Sequence, residues 1–301
     1  GATWGVGVSV VFVSLALSAL SLAAFVVRQR ALSRGADTNK ALMDTRLFSI
    51  ASFRGGNIAT LLIGLGEFGI IAVLPLWLQF TLGYSAVQAG AMLVPIAIGS
   101  FVASGASFAL VASLSPLNLV RIGLGLEVVG LAGLGFVAAV DSPWWHIAIV
   151  LFFYGIGVGF ATAQVTNVVL DDVPTASAGQ GSGIQSAFRQ LGSALGIAVL
   201  TTTFFTTLGS QVRDSLTGVP DAEMLARSIT DSAGGAIAGC ASLPETEFVA
   251  DAARDAMTHG VNLGGFIAAG FVAFGLLATA LIPNRPAQSV PRSDAHEDVA
   301  A

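Results

Sequence analysis

The sequence predicts an all-α integral membrane protein with about seven transmembrane helices, and three observations carry that prediction. Seven predominantly apolar runs follow one another along the chain, each long enough for the roughly 20 helical residues that cross a hydrocarbon core. Charge is scarce: 54% of the residues are hydrophobic and only 10% are Asp, Glu, Lys or Arg, where a water-soluble domain carries about 25% charge. The basic residues gather in alternate connections between the runs, as the positive-inside rule requires. Mean hydropathy is +0.81, and the 36 glycines suit helices whose backbones approach closely inside a bilayer.

The runs lie near 4–27, 57–81, 88–111, 117–140, 145–170, 181–208 and 259–282. The first connection carries Arg28, Arg30, Arg34, Lys40, Arg46 and Arg54, which makes it a basic cytoplasmic linker at 28–56. The second break is Gly83-Tyr84-Ser85, the third Ser113-Leu114-Ser115-Pro116, the fourth Asp141-Ser142-Pro143-Trp144-Trp145, and the fifth Asp171-Asp172-Val173-Pro174. Alternation puts the third and fifth breaks and the 283–301 tail in the cytoplasm, near Arg121, Arg189, Arg285 and Arg292. The second and fourth breaks fall outside and hold no Lys or Arg, while Trp144 and Trp145 suit an interfacial belt. Residues 209–258 form a long acidic extracytoplasmic loop. Helix starts are expected there at Pro220-Asp221-Ala222-Glu223 and at Ser242-Leu243-Pro244-Glu245, the latter continuing into the seventh run.

Several function classes are excluded or disfavoured. The thirteen Lys and Arg residues form no basic stripe with interleaved aromatics, so a nucleic-acid partner is not expected. Cys240 is the single cysteine and has no disulfide partner. No paired His or Cys ligands suggest a metal, and no cofactor is expected. An enzyme is not expected either: Gly181-Ser182-Gly183 with His259 lacks the spacing of an intramembrane protease, and Gly155-Ile156-Gly157-Val158-Gly159 has no preceding strand to make it a nucleotide loop. The chain opens at Gly1 directly into an apolar run without a signal peptide, which reads as a fragment of a longer protein.

Three ionisable residues sit inside the apolar runs, where charge is costly and usually faces a cavity or a partner. Glu67 lies mid-run among Thr60, Ile63, Gly64, Ile71, Leu74 and Leu78 at helical spacing. Burial there disfavours the charged form, so this carboxyl is a candidate for proton coupling or substrate contact. Glu127 shares a face with Gly123, Gly130, Leu131 and Leu134, a seam between helices, and is a secondary candidate. Arg189 opens the most polar stripe in the chain, with Ser182, Gln185, Ser186, Gly192, Ser193, Gly196 and Thr203, and is assigned a gating or charge-pairing role. It is equally readable as an arginine snorkelling to the cytoplasmic surface. Thr60, Gln164, Asn167, Gln185 and Ser186 are the candidate cavity-lining residues. Gly155 with Gly159, and Gly192 with Gly196, form small-residue packing faces. Pro75 and Pro95 are candidate kinks.

Several blocks together resemble a known family. They are Leu74-Pro75-Leu76-Trp77-Leu78-Gln79, the stretch Leu82–Gly90, Leu93-Val94-Pro95, Gly155–Gly159, Gly179–Gly183, and Arg189-Gln190-Leu191-Gly192-Ser193-Ala194-Leu195-Gly196. Their order and spacing resemble the C-terminal part of a fourteen-helix drug:proton antiporter of the major facilitator superfamily. That resemblance implies an extra central helix at 1–27 and a six-helix transporter bundle at 57–282. It implies proton-coupled export of amphipathic, often cationic, small molecules across the cell membrane, with an N-terminal bundle of the same protein as partner. Substrate, protons and the lipid bilayer are then the other partners. A metabolite transporter on the same fold and a non-transporting membrane scaffold are the alternatives.

Overall fold

The computed structural model describes residues 2–34, 44–219, 221–244 and 246–282. Among these residues the chain is helical and holds no strand. The helices are α1 (Ala2–Arg34), α2 (Ala51–Phe80), α3 (Ala86–Ala91), α4 (Val94–Leu110), α5 (Pro116–Val137), α6 (Trp144–Leu170), α7 (Ala178–Ser215), α8 (Ala222–Asp231), α9 (Ile237–Ala241) and α10 (Glu247–Ala278). Six segments are long and apolar enough to cross a membrane: α2, α3 with α4, α5, α6, α7 and α10. The first run is helical as well; its described apolar stretch is Ala16–Gln29, shorter than the other six. Outward-facing Phe101, Phe108, Phe136 and Phe274 cover the sides of the bundle, which suits a lipid surround. The protein is a multi-pass membrane protein.

Local chemistry explains most of the boundaries. Ser85 caps α3 through a reciprocal pairing with Gln88, and Ser115 accepts from the Asn118 amide with Pro116 at the first helical position. Pro95 does not kink one long helix as the sequence suggests. The third run is divided at Met92–Leu93, and Pro95 sits in the first turn of α4, where its missing N–H costs nothing. Pro75, in contrast, lies inside an unbroken α2. The apolar runs also understate helix length: α2 begins at Ala51, α7 continues to Ser215, and α10 begins at Glu247. Lys40 and the 283–301 tail lie outside the described residues.

At the centre, α2 packs on α7, α10 and α6, while α6 packs on α5 and α4, and α5 closes against α10. Buried Trp77 donates its indole N–H to Thr258 Oγ1 at 2.9 Å, joining α2 to α10. At one end of the bundle Arg121 donates to the Thr279 hydroxyl and carbonyl at 3.2 and 2.9 Å. Ser52 donates to Asp172 at 2.9 Å on the same side. At the other end α8 and α9 form the connection from α7 to α10, α8 packing on α7 and α9 on α10. There Glu223 accepts from Arg213 at 2.7 Å and from Arg227 at 2.9 Å. Hydrogen bonds from those two arginines hold its carboxyl below the usual carboxylate range.

Candidate functional site

The site grows from one helix contact. Gly192 and Gly196 bring α7 against the Leu61 and Leu65 carbonyls of α2, closer than any side chain would allow. The approach is mutual: a Cβ on Gly64 would meet the Arg189 carbonyl at 2.9 Å and the Ser193 amide at 3.0 Å. The Arg189 carbonyl therefore abuts Gly64, about one turn before Glu67 on α2.

From there the guanidinium reaches Glu67. Nη2 lies 3.6 Å from Oε2, with side-chain exposures of 38% for Arg189 and 8% for Glu67. The Phe68 ring sits 5.9 Å from the guanidinium carbon, a cation–π distance. The pair is loose. Beyond this ion pair the guanidinium forms no hydrogen bond among the described residues, and Glu67 Oε2 accepts none.

Arg189 also lines a small open cleft with Thr60 and Ile63 of α2 and Ala161, Thr162 and Val165 of α6. Thr60 donates to the Gly56 carbonyl at 2.8 Å and is buried. Thr162, Thr166 and Asn167 of α6 and Ser186 and Gln190 of α7 are exposed. Such a polar strip on two apolar helices suits a water-filled space better than lipid.

The remaining candidates are dispersed around this centre. Gln185 donates to Thr166 Oγ1 at 3.1 Å, tying α7 to α6. Gln164 turns the other way, donating to Ser107 Oγ at 2.6 Å while accepting from Asn167 at 3.0 Å; neither lines the cleft. Gly155 and Gly159 seat α6 on α4, against Ile96 and against Ser100 and Ala103. Glu127 is fully buried, and neither of its carboxyl oxygens has a hydrogen-bond partner. It occupies the α5–α6 seam, where a Cβ added to Gly157 would meet the Glu127 Cγ at 2.7 Å. Among the described residues no three His, Cys, Asp or Glu side chains converge as metal ligands do.

A family model, Major Facilitator Superfamily, matches residues 2–197, a span that contains Glu67, Glu127 and Arg189. The chain belongs to the Major Facilitator Superfamily. Among curated proteins it is 30% identical to a tetracycline resistance determinant of Streptomyces rimosus, over 72% of this chain and 61% of that one. It is 29% identical to a probable actinorhodin transporter of Streptomyces coelicolor, over 74% of this chain and 38% of that protein. It is 28% identical to a putative multidrug resistance protein of Serratia proteamaculans, over 62% and 40%. The alignments thus reach between 38% and 61% of these relatives' lengths.

Within this superfamily bundle, sequence reasoning missed two residues. Tyr154, buried on α6, donates its hydroxyl to the Glu67 carbonyl at 3.3 Å, and its backbone packs against Gly130. It links the Glu67 level of α2 to the Glu127 seam. Its signal was available: it is one of only two tyrosines in the chain, placed deep in an apolar run where a hydroxyl needs a partner. The other is Thr162, whose hydroxyl forms no hydrogen bond among the described residues; nothing in its local sequence separates it from the other threonines.

Proposed function

We propose that this chain forms the C-terminal part of a proton-driven secondary transporter that exports amphipathic small molecules across the cell membrane. An N-terminal bundle of the same protein would supply the other wall. The names of the relatives support export. The observation that carries the reading is the loose Glu67–Arg189 pair, whose arginine lines an open cleft. A tightly hydrogen-bonded pair would serve structure; a loose one at a cleft can exchange partners. Glu127 is the natural proton carrier, because a dry carboxyl without a partner is tenable only while neutral. It gives up its proton when water enters the seam. Glu67 then acts through Arg189, by competing with substrate for the guanidinium. No chemical step on the substrate is required, so the reading is of a transporter and not an enzyme.

The test is flux in proteoliposomes holding the complete transporter under an imposed pH gradient. Glu127→Gln and Glu67→Gln are close to isosteric and should reach normal abundance. Glu127→Gln should lose gradient-driven export and its associated proton flux while substrate counterflow survives. Glu67→Gln should lose net export as well. Wild-type export by both variants across a range of pH would leave the two carboxyls as structural groups and defeat the proposal.

A further inference from the structure

We infer that the cleft takes amphipathic ligands with an anionic oxygen head, seated on Arg189, and not the cationic ligands that the family resemblance implied. The inference rests on the transport reading above and adds the charge class of the substrate.

The charge that faces the cleft decides the class. Arg189 lines the cleft with 38% of its side chain exposed, whereas Glu67 stands behind it at 8% and is not part of the lining. No acidic side chain lines the cleft among the described residues. A cation approaching Glu67 would have to pass an exposed guanidinium, and like charges brought together oppose binding. An anion meets the guanidinium first.

The donors are available. A guanidinium offers five N–H groups in a planar fork that matches a carboxylate or an enolate oxygen pair. At Arg189 only Nη2 is engaged, and only through the 3.6 Å ion pair. Phe68 supports the guanidinium at 5.9 Å. The Thr162 hydroxyl, exposed on the opposite wall, can add a further donor. Ile63, Ala161 and Val165, each buried in the bundle, form the apolar floor of the cleft beneath the guanidinium.

Glu67 completes the site as a built-in competitor. An anion bound to Arg189 and the Glu67 carboxylate draw on the same positive charge, so re-pairing with Glu67 helps expel the ligand. An inside-negative membrane potential also drives an anion outward, so the charge that seats the ligand couples its export to the electrical part of the proton gradient.

The probes are three molecules on one ring system: naphthoate, its neutral methyl ester, and naphthylmethylammonium. Each is bound by equilibrium dialysis to the complete transporter in phosphatidylcholine nanodiscs, with empty nanodiscs as the blank. Naphthoate should bind about tenfold more tightly than the ammonium compound. Arg189→Gln should reduce naphthoate to the level of the ester, and Arg189→Lys should restore part of the difference. Thr162→Val, on an exposed position that leaves packing intact, should weaken naphthoate and spare the ester. Glu67→Gln, by removing the competitor, should tighten naphthoate. Equal or tighter binding of the ammonium compound, survival of the naphthoate preference in Arg189→Gln, or binding of none of the three would each overturn the inference. If the ammonium compound is preferred while wild-type protein still shows proton-driven flux, the charge class falls and the transport reading stands. If naphthoate binding depends on Arg189 but no proton-driven flux is seen, the charge class stands and the transport reading falls.

Discussion

Replacing Gly192 by alanine should separate α7 from α2, and its magnitude can be worked from the contact itself. An added Cβ would meet the Leu61 carbonyl oxygen well inside van der Waals distance, with the carbonyl carbon at 3.0 Å and Cα at 3.1 Å, where ordinary contact begins at 3.4 Å. All three atoms are backbone, so no side chain can rotate away. The helices must part by roughly 1 Å, at an overpacking cost of about 1–3 kcal/mol. Against this stands the gain of up to about 1 kcal/mol from replacing a helical glycine by alanine. A Cβ added at Gly183 on the same helix would meet nothing within 4 Å, so Gly183→Ala collects that gain with no clash. The two variants should therefore differ by about 1–3 kcal/mol, with Gly192→Ala the less stable. The same displacement would stretch the Glu67–Arg189 ion pair from 3.6 Å to roughly 4.6 Å. Reversible unfolding in mixed detergent micelles measures the first effect, and naphthoate binding measures the second. Equal stability of Gly192→Ala and Gly183→Ala would refute the argument that this backbone contact sets the register of the site.

Two further outcomes can be checked. The Arg213–Glu223–Arg227 cluster should stabilise α8 at neutral pH and release it in acid. Glu223 is held below the usual carboxylate range, so its contribution is present above the ordinary unfolded value and disappears as pH falls through the depressed folded one; all three side chains are at least half exposed, so the effect is small and salt-sensitive. Amide exchange of α8, corrected for intrinsic rates, should show protection falling in acid, and Glu223→Gln should remove that pH dependence; unchanged dependence in the variant would count against it. For topology, with Cys240 replaced by serine, a cysteine at Ser242 should react with an impermeant maleimide in intact cells and one at Ser113 should not. Both positions are exposed, so the opposite pattern would invert the proposed orientation.

Much of the architecture was legible because bilayer thickness imposes a length on every crossing segment. The runs near 57–81, 117–140 and 145–170 correspond closely to α2, α5 and α6. Polar ends were not legible in the same way. Residues 51–56 and 209–215 are helical although they are interrupted by Arg54, Arg213 and Asp214, and hydropathy cannot mark a helix that runs past its apolar stretch. Of the loop helices, α8 was readable, following Asp221 as expected, and the start expected near Pro244 begins α10 at Glu247, whereas α9 was not anticipated.

At the site, periodicity could nominate residues but not pair them. Glu67, Glu127 and Arg189 stood out because each is an ionisable group in an apolar run, and the cost of such groups is a property of the sequence position alone. Which of them meet is a matter of register between helices far apart in the chain. The backbone contacts of Gly64, Gly192 and Gly196 set Arg189 beside Glu67, whereas the α5–α6 seam encloses Glu127 without a partner. The polar stripe of α7 shows the same limit: Gly192, Ser193 and Gly196 are spent on packing against α2, Gln185 on Thr166, and Ser186 remains exposed. Sequence alone thus determined a helical membrane bundle and its costly charges, because burial in lipid is a local, length-scaled constraint. The tertiary structure alone decided that one charge pair borders a cleft and that its cation faces outward, because those follow from how two glycine-lined helix surfaces fit together.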